Sequence, residues 1–102
     1  MNPMIRAKIT EVARLCDKHG VRRMELFGSG AGDPFDHLTS DLDFLVTFED
    51  MDVNQYADAY FGLLEALEEL FARPVDLVVA SAVTNPYFLE SIAPTRTLIY
   101  AH

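Results

Sequence analysis

The chain has 102 residues, half of them apolar, one cysteine and a net charge of −8 at neutral pH. That length makes a single domain able to bury about two-thirds of its unfolded surface, enough for one core without staples. Cys16 alone excludes an internal disulfide framework and a cysteine-built zinc site.

The charge is unevenly spread. Residues 1–23 hold six of the eight basic residues and only two acidic ones, giving +4 and leaving −12 on the rest. This argues against stable nucleic-acid binding, which needs a basic surface to displace counterions. It suits metal binding or a basic protein partner. No apolar run of about 20 residues occurs, and MNPMIRAKIT lacks a signal-peptide pattern, so a soluble, cytoplasmic protein without membrane association is expected.

Residues 4–19 predict an amphipathic helix, with Ile5, Ile9, Val12, Ala13 and Cys16 on the inner face, Pro3 in the first turn and Gly20 at the C-terminal cap. Cys16 falls on the apolar face and is expected to pack there. His19 suits the carbonyl end of that helix. Val21 to Phe27 is a strand, entered through Arg22 and Arg23, which either lie in solvent or lean toward a phosphate. Gly28-Ser29-Gly30 follows, then a loop over 31–39 containing the turn signal Asp33-Pro34, together with Asp36 and His37.

Asp41 to Phe48 is the central strand, apolar on both faces after its aspartates, which predicts cover on both sides. A long helix then runs to about Ala72, N-capped by Asp50 or Asp52. Its inner face is Tyr56, Tyr60, Leu63, Leu64, Leu67, Leu70 and Phe71, while Glu65, Glu68 and Glu69 are either solvated or offered to a cationic partner. Arg73-Pro74 stops it. Val75 to Ala80 is a third strand with Asp76 as its one polar residue. Asn85-Pro86 opens a short helix to Ile92, Pro94 ends it, and Leu98 to Tyr100 form an edge strand.

The stretch from Leu26 to Phe48 carries the chemistry. Alternation along a strand puts Asp41 and Asp43 on one face with Cα atoms about 6.5–7 Å apart. Two anions that close on an apolar strand repel each other and lose hydration, so a cation should neutralise them. A hard ion such as Mg²⁺ takes one or two carboxylates and fills its shell with water and phosphate oxygens. Upstream, the glycines of Gly28-Ser29-Gly30 permit positive φ and close approach of a phosphate to backbone N–H groups, with the Ser29 hydroxyl as a further donor.

Gly28-Ser29, a loop, then Asp41-Leu42-Asp43 followed by apolar residues resembles the signature of the polymerase-β-like nucleotidyltransferase superfamily, and in length its minimal stand-alone members, the MNT domains. The tail from Asn85-Pro86-Tyr87 through Ile99-Tyr100 is also similar. The resemblance implies an α/β (α+β) fold with a small mixed sheet packed by helices, as one nucleotidyltransferase domain over 1–102. It implies a third acidic ligand, Asp76, that completes the acceptor-side metal and draws a proton from the attacking hydroxyl. It further implies one or two Mg²⁺ ions on Asp41, Asp43 and Asp76, ATP as substrate with its phosphates on Gly28, Ser29 and Gly30, and a HEPN-domain toxin as partner, neutralised by AMP transfer, by docking, or by both. Homo-oligomers stay open. Many members carry Ala-Arg-Gly after the Gly-Ser pair, where this chain has Gly30-Ala31-Gly32-Asp33. Two alternatives therefore stand beside an AMP-transferring antitoxin: one that acts by binding alone, and a small-molecule nucleotidyltransferase.

Overall fold

The computed structural model describes residues 3–28 and 41–102. Ser29 and Gly30 of the expected cradle, and the loop over 31–39 with Asp33-Pro34, Asp36 and His37, lie outside the described residues.

The first helix comes in two pieces, α1 (Pro3–Ala7) and α2 (Ile9–Lys18). Between them Lys8 sits at φ −116° and ψ 17°, and its N–H donates to the Ile5 carbonyl at 3.0 Å, an i→i−3 bond that tightens the turn. Ile5, Val12 and Cys16 all remain fully buried across the break. His19 closes the C-terminal end with Nδ1 2.8 Å from the Leu15 carbonyl, and Gly20 at φ +70° turns the chain into β1 (Val21–Phe27).

β2 (Leu42–Phe48) leads to α3 (Val53–Phe71). The Asp52 side chain accepts from the Gln55 N–H at 2.9 Å, and the Gln55 side chain accepts from the Asp52 N–H at 3.1 Å, a reciprocal capping box. Ala72, left-handed at φ 54°, ends α3 two residues before Pro74. β3 (Val75–Val79) stops one residue earlier than expected, because Ala80 enters a 3₁₀ turn over Ala80–Ala82. α4 (Pro86–Ile92) is capped by Asn85, whose side chain accepts from the Tyr87 N–H. A second 3₁₀ turn (Ala93–Thr95) precedes β4 (Thr97–Ala101).

The four strands form one mixed sheet in the order β3-β2-β1-β4. β2 and β3 are parallel and the other neighbours antiparallel. A parallel pair needs a long crossover, and α3 is that connection. One sheet face presents Met24, Leu26, Leu42, Phe44, Val46 and Leu77 to Ile5, Val12, Cys16, Leu63, Leu67 and Phe71 of the three helices. Each such side chain contributes about 1.5–3 kcal/mol on full burial. The opposite face carries a smaller cluster of Phe27, Leu45 and Ile92, joined by Val78, Phe88 and Leu89. Phe27 and Phe88 meet edge to face at 5.7 Å. β2 is thus covered on both faces, as its apolar run requires.

β3 is an edge strand, and two of its outward backbone groups are occupied by side chains. The Glu68 carboxylate accepts from the Val75 N–H at 3.1 Å, and the Tyr60 hydroxyl donates to the Leu77 carbonyl at 2.8 Å. Glu68 is therefore neither a solvated charge nor one held out to a partner. No helix among the described residues is long and apolar enough to cross a membrane.

Candidate active site

The Leu42 N–H donates to the Pro74 carbonyl at 3.2 Å, which brings the starts of β2 and β3 together. The parallel register then sets Asp43 directly beside Asp76, on neighbouring strands about 4.8 Å apart. On its other side Asp43 pairs with Phe27, the last residue of β1. Asp43 is half-buried between these neighbours, whereas Asp76 and Asp41, which just precedes β2, are exposed. Alternation puts Asp43 and Asp76 on the same sheet face as Leu45 and Val78, the face against which Phe88, Leu89 and Ile92 of α4 pack.

Gly28 closes against Asp43. At φ +76° its backbone is left-handed, and a Cβ there would lie 2.6 Å from Asp43 Oδ2. Any side chain would displace the carboxylate. The Gly28 N–H donates to Thr95 Oγ1 at 3.0 Å, so the donors of a phosphate cradle at this turn would come from the residues that follow.

Burial raises the Asp43 carboxyl above its ordinary range, and the charges of Asp76 and then Asp41 raise it further. Among the described residues, no ion pair or hydrogen bond engages the three carboxylates. Three oxygen-donor anions without a counter-cation fit a hard divalent ion such as Mg²⁺. No three acidic, histidine or cysteine side chains among the described residues already stand close enough to form a ligand set.

The same sheet face holds a third acidic residue, one that the sequence reading passed over. Glu25, two residues before Phe27, is buried and receives Arg96 through two bonds, Nε to Oε2 at 2.8 Å and Nη2 to Oε1 at 2.7 Å. Arg23 Nε adds a third at 3.2 Å. The Arg96 hydrogen bonds hold the Glu25 carboxyl below its ordinary range, against the opposing effect of burial. Arg22 bonds Glu49, so neither strand-entry arginine is unpartnered. A carboxylate between Met24 and Leu26 was the signal available; alternation puts Arg23 on its face, and nothing local points to Arg96. A cleft of about 500 Å³ lined by Lys18, His19, Asp50, Gln55 and Asp58 lies at the opposite end of β1 from the aspartates.

This architecture is that of a small nucleotide-transferring α/β domain. A solved structure described as a candidate minimal nucleotidyltransferase superposes with a TM-score of 0.71 at 31% identity, covering 95% of each chain. The chain belongs to the nucleotidyltransferase domain family, which matches it over residues 11–99. A Methanocaldococcus jannaschii protein named as a candidate protein adenylyltransferase is 36% identical over 86 residues, 84% of this chain and 82% of that protein. The fold also superposes, with a TM-score of 0.65 at 18% identity, on a complex of tri-AMPylated Shewanella oneidensis HEPN toxin with MNT antitoxin, over 95% of this chain and 72% of the matched one. At that identity the likeness is one of fold.

Proposed function

We propose that this chain is a Mg²⁺-dependent nucleotidyltransferase that moves AMP from ATP to a hydroxyl of a HEPN-type toxin, and so acts as its antitoxin in the cytoplasm. The observation that carries the reading is the register of β2 and β3, which sets Asp43 beside Asp76 with Gly28 closed against Asp43. Asp41, Asp43 and Asp76 would hold Mg²⁺. When bound, the cation supplies neutralisation of the charge on the phosphate oxygens as they rearrange.

The remaining work falls to the protein. Asp76, exposed at the sheet end, accepts the proton of the attacking hydroxyl. The acceptor oxygen forms a bond to the α-phosphorus as the bond to pyrophosphate breaks, and Ser29 and Gly30, which follow Gly28, would hold the β and γ phosphates. The M. jannaschii relative supports a protein acceptor, and the fold shared with a toxin-bound antitoxin supports a HEPN partner. A second reading, neutralisation by docking alone, is favoured by Gly30-Ala31-Gly32-Asp33, which offers no cation to a phosphate.

Intact-mass measurement separates the two. The product of the gene beside this chain's own is incubated with the protein, ATP and Mg²⁺, next to an Asp41→Ala, Asp43→Ala control. A gain of one or more AMP units, absent in the control, is expected. A stable complex with no mass gain would establish docking instead.

A further inference from the structure

We infer that Thr95 is a positioning residue for nucleotidyl transfer, holding the Gly28 turn in place against Asp43 from 67 residues away. The inference rests on the reading of Gly28 and the aspartates as the nucleotide site. Its basis is a hydroxyl with both roles assigned. Thr95 Oγ1 donates to the Ile92 carbonyl at 3.0 Å and accepts the Gly28 N–H at 3.0 Å. A threonine hydroxyl has one proton to give, so donation to Ile92 turns a lone pair toward Gly28.

Gly28 is held from two sides. Thr95 holds its N–H, and the Asp43 carboxylate occupies the space where a side chain would stand. The peptide plane that leads from β1 into the loop is therefore set by the segment before β4. A Gly28 N–H released from Thr95 would turn toward other acceptors, with the neighbouring Asp43 carboxylate among them. A backbone donor on that carboxylate would compete with a cation for the same oxygen.

Thr95 is itself anchored on β1. Arg96, the next residue, makes its two bonds to Glu25, three residues before Gly28 on the same strand. Ile92, which takes the Thr95 proton, is buried with Phe27 in the α4-side cluster. The Thr97 hydroxyl bonds the Thr95 carbonyl at 3.3 Å. The segment from Ile92 to Thr97 thus grips β1 at Glu25, Phe27 and Gly28, and the grip at Gly28 is the one made by a hydrogen bond beside the Asp43 carboxylate.

The test compares the wild-type chain with Thr95→Val, which keeps the shape and loses the hydroxyl, and Thr95→Ser, which keeps the hydroxyl. Exchange of the Gly28 amide is followed by NMR, and Mg·ATP affinity by calorimetric titration. Thr95→Val is expected to speed Gly28 exchange and weaken Mg·ATP binding, each by about 10-fold, the worth of one hydrogen bond. Thr95→Ser is expected to retain both values.

Wild-type affinity in Thr95→Val overturns the inference, as does a loss in Thr95→Ser equal to that in Thr95→Val, since the methyl group and not the hydroxyl would then matter. If Thr95→Val does not fold, Thr95→Ala replaces it; failure of both makes the hydroxyl a purely structural element and overturns the positioning role. A wild-type chain that binds no Mg·ATP overturns the nucleotide site itself, and is told apart because all variants then fail alike.

Discussion

Glu25 and Asp43 sit on the same face of one sheet, on adjacent strands, and meet opposite surroundings. Glu25 is buried with two arginines on its oxygens, and its carboxyl is held low. Asp43 is half-buried with two further carboxylates for neighbours, and its carboxyl is pushed up. The first arrangement is complete as it stands and serves the fold. The second is short of a positive charge and becomes favourable only when something brings one. What sets the proposed site apart from Glu25 is thus not burial of an acid but the sign of what surrounds it.

Three substitutions and conditions press on that contrast. Asp43→Asn should remove the response to ligand, which in the wild type is expected to reach about 2.7 kcal/mol at Mg·ATP 100-fold above its dissociation constant. The same variant should stabilise the ligand-free protein by about 1 kcal/mol, because it relieves repulsion and buried charge. Thermal unfolding with and without Mg·ATP reads both effects, and a ligand-free Asp43→Asn that melts below wild type would break the contrast.

Arg96→Met should act in the opposite sense, costing about 2 kcal/mol. That is less than the loss of a fully enclosed ion pair, since Arg96 is one-third exposed and Arg23 remains beside Glu25. Urea unfolding measures it. The smallest effect is in pH. A carboxyl held low in the fold stabilises it above the ordinary carboxylate range, and that stabilisation is lost as pH falls through the lowered value. The stability advantage of wild type over Glu25→Gln, about 1 kcal/mol near pH 7, should therefore shrink steadily on acidification, as followed by unfolding between pH 7 and 3.

The elements were legible because each is written locally. Asp52 with Gln55 makes the cap, Pro86 opens α4, Gly20 ends α2, and the alternation from Asp41 onward set one strand of the pair to which Asp76 was added by resemblance. What escaped was tertiary. Nothing near Gly28 in sequence announces that its N–H belongs to Thr95, and nothing near Glu25 announces Arg96. A hint was present in composition, since Arg73 and Arg96 are the only basic residues after Arg23 besides the neutral-pH histidines. A buried strand carboxylate had few cations to choose from. The break at Lys8 was hidden for another reason: an amphipathic face of the right period is compatible with one tight turn inside it.

The hydroxyl of Tyr60 and the carboxylate of Glu68 have a consequence for assembly. By occupying the Val75 N–H and the Leu77 carbonyl, they take two of the outward groups that a further strand would need on the β3 side. Among the described strands β4, with Leu98 exposed on it, is the other edge at which a polypeptide could be added by main-chain pairing. Addition beside β3 would have to displace Glu68 and Tyr60, whereas addition beside β4 would extend the sheet away from the carboxylates of β2 and β3.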